Sequence, residues 1–125
     1  MEEKIKISTF KDLYAWQEGH KLVLIIYGIS KKFPGSEIYN LTSQMRRSAV
    51  SITSNIAEGF SRKTDNDKCQ FYTISHASLT ELENQIIIAK DLNYINDEEY
   101  KEILGQMIIV SKLINGLKKI KNKKL

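Results

Sequence analysis

The sequence predicts an all-α protein: one domain over residues 1–125, folded as an antiparallel, up-down-up-down four-helix bundle. Apolar residues recur at spacings of three and four, which is the period of an α-helix and not the alternation of a strand. A single proline and six glycines leave few interruptions. The four periodic segments are joined by connections of about four to six residues, and short connections favour antiparallel neighbours.

The first predicted helix covers about residues 10–32. Thr9 and Asp12 resemble a capping box at its start. Pro34 ends it, because proline cannot continue a helix. Its apolar positions include Leu13, Trp16, Leu22, Val23, Ile26 and Ile29.

The second predicted helix covers about residues 37–58 and is the most polar of the four. Gly59 follows it and is placed to act as a left-handed C-terminal cap, since glycine adopts positive φ at no steric cost. The apolar stripe of this helix is Leu41, Met45, Ala49, Ile52 and Ile56.

The third and fourth predicted helices cover about residues 65–92 and 97–120. Thr64 and Asn96 are suitable N-caps, and each is followed three residues later by an acid. The expected core stripe of the third helix is Phe71, Ile74, Ser78, Leu82, Ile86 and Ala89. That of the fourth is Ile103, Met107, Val110, Ile114 and Leu117.

Two apolar runs, residues 22–27 and 107–110, are wider than one face of a helix. In an isolated bundle some of this surface is expected to be exposed, and assembly into a homo-oligomer would cover it. The alternative is that both helices are deeply buried at the centre of the bundle.

The positive charge is concentrated in a lysine-rich tail, residues 118–125. Residues 1–117 carry 14 Lys and Arg against 15 Asp and Glu, whereas the tail has lysines and no acid. Such a tail can bind phosphate backbones by releasing counterions. It is equally typical of a solvated helix end, where cations are favoured by the helix dipole. The tail lysines are Lys118, Lys119, Lys121, Lys123 and Lys124.

The most distinctive segment is a polar stripe in the second helix, formed by Gln44, Arg47 or Ser48, Ser51, Asn55 and Glu58 and followed by Gly59. Such groups need hydrogen-bond partners if they are buried. The third helix offers Ser75, Ser78, Glu81 and Gln85. A bidentate ion pair from Arg46 or Arg47 to Glu81 is one candidate contact.

This segment, Q-M-R-R-S-A-V-S-I-T-S-N-I-A-E-G, is preceded by F-P-G-S-E-I-Y-N-L and followed by S-L-T-E-L-E. It resembles the bacterial four-helix-bundle family of 23S rRNA-intervening-sequence proteins, and the accessory protein of diversity-generating retroelements is similar. The resemblance extends from Phe10 to Ile95. It implies a homopentameric ring, with nucleic-acid binding in the retroelement relative. The lysine tail is not part of the motif.

Binding of RNA or DNA through positive charge is the first function hypothesis, and a structural or adaptor protein that binds other proteins is the alternative. Arg46 and Arg47 are equally suited to internal or intersubunit salt bridges. The candidate phosphate contacts are Arg46, Arg47, Arg62, Lys63, Lys118, Lys119 and Lys121.

An enzyme is not expected. His20 and His76 lie on different predicted helices, and Cys69 is two turns from His76, about 10 Å along the helix axis. The glycines are isolated, so no phosphate-cradling loop is predicted, and no metal, cofactor or small-molecule substrate is indicated. No segment approaches the roughly 20 apolar residues of a membrane span, and a cytoplasmic location is expected.

Single aromatic residues and glycines have simple structural interpretations. Trp16 and Tyr72 could stack on bases but are expected in the core, whereas Tyr39 is expected to be exposed. Glycine inside a helix costs about 1 kcal/mol relative to alanine. Close approach of neighbouring helices is therefore expected at Gly19, Gly28 and Gly105.

Overall fold

The computed structural model describes residues 6–123, with side chains up to residue 120. Over this range the chain forms four α-helices and two short 3₁₀ turns and contains no strand, as the periodicity predicts. The helices are α1 (Tyr14–Ser30), α2 (Leu41–Ser61), α3 (Asp65–Asp91) and α4 (Asp97–Lys123). The 3₁₀ turns are Phe10–Asp12 and Gly35–Glu37.

The first helix begins later than predicted. The Asp12 carboxylate accepts the backbone N–H groups of Ser8 and Thr9 at 2.8 and 3.0 Å, which is one half of a capping box. This cap closes a 3₁₀ turn and not an α-helix, because Leu13 is extended with ψ near 129°. The α-helix therefore starts at Tyr14.

The second helix is displaced toward the C-terminus relative to the prediction. The turn Gly35–Glu37 and a non-helical Asn40 (φ −121°, ψ −108°) delay its start to Leu41. The prediction that Gly59 is a left-handed cap is wrong: Gly59 lies inside α2 and its φ is not positive. The helix ends at Ser61, and the backbone is extended at Arg62.

The starts of α3 and α4 confirm the capping predictions. Thr64 Oγ1 accepts the N–H of Asp67 at 3.1 Å. Asn96 Oδ1 accepts the N–H of Glu99 at 2.8 Å, and the Glu99 carboxylate accepts the N–H of Asn96 at 2.9 Å, so this cap is reciprocal. Asn93, with φ of 63°, makes the left-handed turn between the two helices.

Each helix packs against two neighbours: α1 and α3 both contact α2 and α4. The core lies between the four helices and contains Leu22, Ile26, Met45, Ile52, Ile56, Leu82, Ile86, Ile103, Val110 and Ile114, all with no measurable exposure. The core prediction is wrong for the first half of α3, because Ile74 is 48% exposed and Phe71 and Ser78 are only half-buried. The stripe of α3 instead runs through Tyr72, Ser75 and Leu79 before joining the predicted positions.

The two wide apolar runs are only half buried, which confirms that they exceed what this core covers. In residues 22–27, Leu22 and Ile26 are buried while Leu24 is 59% exposed. In residues 107–110, Met107 and Val110 are buried while Ile108 is 56% exposed. Among the described helices, none has the length and apolar content needed to cross a membrane.

Candidate functional site

The distinctive segment of α2 packs against α3 through small hydroxyl side chains, and we call this contact the polar seam. It comprises Ser48, Ser51, Asn55, Ser75 and Ser78. The hydroxyls of Ser51 and Ser78 are 2.8 Å apart, and the fully buried Ser75 hydroxyl donates to the carbonyl of Ile52 at 2.8 Å. Asn55 Nδ2 donates to the Ser51 carbonyl at 2.8 Å and to its hydroxyl at 3.1 Å. The seam is therefore a hydrogen-bonded helix contact.

Two members of the predicted polar stripe, Gln44 and Glu58, lie outside this network. Glu58 forms an ion pair with Arg62 on the surface at 2.8 Å, and Gln44 is exposed. Glu81 accepts a hydrogen bond from Ser48 at 3.2 Å, at the edge of the seam. Gln85 is buried, and its side-chain oxygen has no hydrogen-bond partner among the described residues.

Gly59 is needed for close packing and not for a turn. A Cβ atom built on Gly59 would lie 2.7 Å from Cε1 of Tyr72 and 3.1 Å from Cβ of Phe71. The Tyr72 ring is buried, and this burial raises the pKa of its hydroxyl. Gly19 has a similar role on α1, with Thr53 Cγ2 at 3.0 Å from the added atom.

The expectation of close helix approach is wrong for two glycines. Nothing lies within 4 Å of a Cβ added to Gly28 or Gly105, and both residues are exposed. These two positions face open space because they lie on the outer sides of α1 and α4.

The candidate arginine pair to Glu81 is not formed. The Arg46 guanidinium lies 4.7 Å over the Tyr27 ring, and its Nε donates to the Ser30 hydroxyl at 2.9 Å. Arg46 therefore joins α2 to α1 and not to α3. Sequence reasoning did not identify this contact, although Tyr27 and Ser30 are one turn apart and could have indicated it.

The candidate phosphate contacts fall into two groups. Arg46 and Arg47 lie in the first half of α2, beside Tyr27 and Val50. Arg62 follows the last residue of α2, 16 residues after Arg46, which is a distance of about 24 Å at 1.5 Å per residue. The structure thus does not bring all the predicted residues into one site.

The second group is at the end of the molecule where α2 meets α3, which we call the basic end. Leu117 and Ile120 of α4 line a small cavity with Asp65, Cys69 and Tyr72, so the last described turns of α4 lie beside the first turns of α3. Arg62 and Lys63 are exposed in the connection, as is Lys119 on α4, and Lys118 is half-buried. The side chain of Lys121 lies outside the described residues.

The geometry of the basic end holds two cations in place. The Arg62 guanidinium stacks 4.6 Å from the Phe71 ring centre while it pairs with Glu58. Lys68 donates to the carbonyl of Phe60 at 2.7 Å, where it neutralises the C-terminal end of the α2 dipole. Lys63 is exposed beside them.

The histidines and the cysteine have separate surroundings. His76 Nε2 is 3.3 Å from the Ser111 hydroxyl in a groove between α3 and α4, whereas His20 stacks on Trp16 at 4.9 Å. Cys69 is half-buried at the start of α3. Within residues 6–120, no three of the His, Cys, Asp and Glu side chains are grouped so that they could hold a metal ion.

The aromatic predictions agree with the structure. Tyr72 is buried and Trp16 packs against the core, whereas Tyr39 is 89% exposed in the connection before α2. The Tyr72 ring is buried, and the exposed His20 stacks on the Trp16 ring.

The family model of 23S rRNA-intervening sequence proteins matches residues 11–116. The chain belongs to the 23S rRNA-intervening sequence protein family. The match covers all of α1, α2 and α3 and most of α4, and therefore includes the polar seam. It ends before the lysine-rich tail, as the resemblance implies.

A solved structure has the same fold as this 23S rRNA-intervening sequence protein. It is the crystal structure, at 1.70 Å resolution, of a protein of unknown function from the S23 ribosomal protein family of Bacteroides thetaiotaomicron. The two chains are 21% identical with a TM-score of 0.77, over 84% of this chain and 95% of the other. No curated protein matches the chain.

Proposed function

We propose that this family member is a non-enzymatic, cytoplasmic, oligomeric protein that binds the phosphate backbone of RNA or DNA through its basic end. The observation that carries the proposal is the packing of Leu117 and Ile120 of α4 beside the start of α3, which places the segment with Lys118 and Lys119 at the same end of the molecule as Arg62 and Lys63. The tail lysines that follow along the chain would extend this group. Phosphate contacts of this kind add affinity without reading sequence.

The opposite end of the molecule carries acids and lysines together, and two of the lysines, Lys32 and Lys90, are paired with acids there. There, α3 ends and α4 begins with a group of acids. The acids are Glu37, Asp91, Asp97, Glu98 and Glu99.

Arg62 supplies the most specific geometry of the basic end. The stacking contact with Phe71 fixes the plane of the Arg62 guanidinium. Because the side chain is already held in place, it loses less conformational entropy when two of its N–H groups bind one phosphate. The ion pair with Glu58 competes for the same donors, but it is solvent-exposed and therefore weak.

An antiparallel, up-down-up-down arrangement is part of the proposal. Contacts between distant parts of the chain support it. Leu13 and Tyr14 at the start of α1 line a groove with Leu117 of α4. Lys32 after α1 pairs with Glu99 at the start of α4.

Assembly into a ring, a pentamer by the resemblance, would repeat the basic end around an axis. The exposed apolar side chains of the two wide runs support assembly, because large apolar patches on a protein surface are typical of interfaces. A weak patch for phosphate gains affinity when several copies bind one nucleic acid.

A structural or adaptor role is the second candidate. It is favoured by the exposed aliphatic side chains of α3, where Ile74, Ile87 and Ile88 are each more than 40% exposed. These could contact another protein without any role for the basic end. A defined polypeptide that copurifies in the absence of nucleic acid would favour this candidate.

The test is the binding of duplex DNA and structured RNA at two salt concentrations, measured by fluorescence anisotropy. The Arg62→Glu/Lys63→Glu variant is expected to lower affinity at least tenfold. For duplex DNA, removing two phosphate contacts should reduce the slope of log affinity against log salt by about 1.8. A Lys118→Gln/Lys119→Gln/Lys121→Gln variant reports on the tail separately.

The matched control is Lys31→Glu/Lys101→Glu, which reverses two exposed lysines at the opposite end. It is expected to bind as the unmodified protein does. Unchanged affinity in both basic-end variants, with folding verified by circular dichroism, would refute the proposed site. Loss of binding in the Lys118→Gln/Lys119→Gln/Lys121→Gln variant alone would show that the C-terminal lysines, and not Arg62 and Lys63, carry the binding.

A further inference from the structure

Two grooves on different sides of the molecule each combine exposed apolar side chains with a charged residue. The first, the α1–α2 face, has a volume of about 380 Å³ and is lined by Tyr27, Ile38, Val50, Arg46 and Arg47. Ile38 is 53% exposed, and Tyr27 and Val50 are each 39% exposed. An apolar groove left this open to water is unfavourable unless something covers it.

The second groove, the α3–α4 face, has a volume of about 320 Å³. Ile108 is 56% exposed there, and Glu83 lies at its edge. The rest of the lining is His76, Leu79, Thr80, Leu104, Met107 and Ser111. The two grooves are similar in volume and both are bordered by aliphatic side chains.

The charges of the two faces are complementary. Arg47 and Glu83 are both exposed, and neither forms an ion pair or hydrogen bond within the described part of the chain. The α1–α2 face therefore presents a free cation beside its groove, and the α3–α4 face presents a free carboxylate beside its own. Complementary charge at the rim of an apolar contact fixes its register and disfavours wrong pairings.

The two faces lie on opposite sides of the molecule. Because α1 and α3 each contact α2 and α4, the groove between α1 and α2 is across the core from the groove between α3 and α4. One chain cannot bring its own two faces together. A second copy can place its α3–α4 face on the first copy's α1–α2 face and leave one face of each kind free.

We infer that the α1–α2 face of one copy binds the α3–α4 face of the next, with Arg47 opposite Glu83. This contact is heterologous, since it joins two different surfaces, and its repetition produces a ring or an open chain. The inference rests on the proposed assembly and assigns Arg47 to self-association and not to phosphate. It identifies the partner of these two surfaces as a second copy of this chain.

The test is a charge swap monitored by light scattering and sedimentation over a range of protein concentrations. Arg47→Glu and Glu83→Arg each place like charges in the contact, and each is expected to raise the concentration of half-assembly at least tenfold. At low micromolar concentration these variants should approach the protomer mass of 14.4 kDa. The double variant Arg47→Glu/Glu83→Arg restores opposite charges and is expected to regain the assembled mass.

Ile108→Asp provides a second, independent test, because it would bury a carboxylate in the contact; it is expected to give the protomer mass. Circular dichroism verifies that each variant stays helical. Lys63→Glu is the matched control, since it reverses an exposed cation far from both faces and should keep the assembled mass.

Several outcomes would overturn the inference. Single charge reversals that keep the assembled mass would do so. A double variant that stays dissociated would do so as well, because residues 47 and 83 would then not face each other across the contact. A monomeric unmodified protein would also overturn it, together with the proposed assembly. Failure of the nucleic-acid experiment alongside a successful charge swap would refute only the phosphate-binding proposal.

Discussion

Gly59 shows how one hydrogen atom in place of a methyl group sets the distance between two helices. Tyr72 is a large, buried side chain on α3, and its ring edge occupies the space that a Cβ on α2 would need. The small hydroxyls of the polar seam extend the same close approach along α2. At this scale the family motif is a packing motif, because its small residues lie where α3 is nearest.

Gly59→Ala is expected to destabilise the protein by about 1–3 kcal/mol, although alanine is the better helix former. The added methyl would overlap the Tyr72 ring, and overpacking of a core costs about this much. Urea unfolding at fixed protein concentration measures the change.

Gly116→Ala is the matched control for Gly59→Ala. Nothing lies within 4 Å of its added Cβ, and Gly116 is exposed inside α4. It is expected to stabilise by up to about 1 kcal/mol from helix propensity alone. A stabilising Gly59→Ala would show that α3 can move away without cost.

Among the elements, α4 has the best-defined start. The Glu99 carboxylate binds the Lys32 ammonium, which is the main cause of its lowered pKa, and it also accepts the N–H of Asn96. The ion pair links the start of α4 to the end of α1, while the cap fixes where α4 begins. The same carboxylate therefore serves both the helix and its packing.

The lowered pKa of Glu99 makes the stability of this helix start depend on pH. Its pKa in the folded protein is below the unfolded value, so the carboxylate stabilises the fold above about pH 4.3 and this contribution is lost as the pH falls below that. We expect Glu99→Gln to lower the free energy of unfolding by on the order of 0.5 kcal/mol at pH 7. In this variant the free energy of unfolding should also decrease less steeply as the pH falls.

Urea unfolding at several pH values between about 3 and 7, a range that spans the titration of glutamate, measures this effect. Glu98→Gln is the control, because Glu98 is an exposed carboxylate in the same first turn. If the free energy of unfolding decreases equally steeply with falling pH in Glu99→Gln and in the unmodified protein, the assignment of this pH dependence to Glu99 is wrong.

At the scale of the whole molecule, the two wide apolar runs, residues 22–27 and 107–110, contribute both to the core and to the exposed surface. The four-helix core buries one side of residues 22–27 and of residues 107–110 and leaves Leu24, Tyr27, Ile108 and Ile109 exposed. These side chains contribute nothing to the described core. Covering them by assembly would add stability that depends on protein concentration.

The urea midpoint of the unmodified protein is therefore expected to rise as protein concentration increases from about 1 to 100 μM, because association stabilises only the folded state. In Ile108→Asp the midpoint should be lower and independent of concentration. A midpoint that does not change with concentration in the unmodified protein would show that the exposed side chains are not covered by other copies.

The helical elements could be predicted because their signals are local. The caps at Thr64 and Asn96 form as their spacing predicts. The helix boundaries near Leu13 and Asn40 could not be predicted, since they depend on extended or irregular backbone that no side-chain pattern indicates. The role of Gly59 as a left-handed cap was predicted wrongly, because a glycine near a helix end gives the same sequence pattern in two cases. It can end the helix with a positive φ, or it can leave room for a neighbouring aromatic ring, as it does here.

Of the candidate site, composition and spacing identified the cations but not their partners. Arg46 pairs with the ring and hydroxyl of α1 and not with Glu81, because its direction depends on how α1 and α2 pack. The family was identified by its contiguous motif, and the match over residues 11–116 confirms it.

The helical class, the family and the concentration of lysines near the C-terminus all follow from the order of the amino acids, because periodicity, motifs and charge are properties of residues close together in the chain. The packing of the helices, in contrast, determines that Leu117 near the end of α4 lies beside Asp65 at the start of α3, whereas Arg46 and Arg47 lie in a separate groove between α1 and α2. It also decided which half of each apolar run is exposed. The physical reason is that both depend on the rotation and pairing of whole helices, which are determined by contacts between residues far apart in the chain.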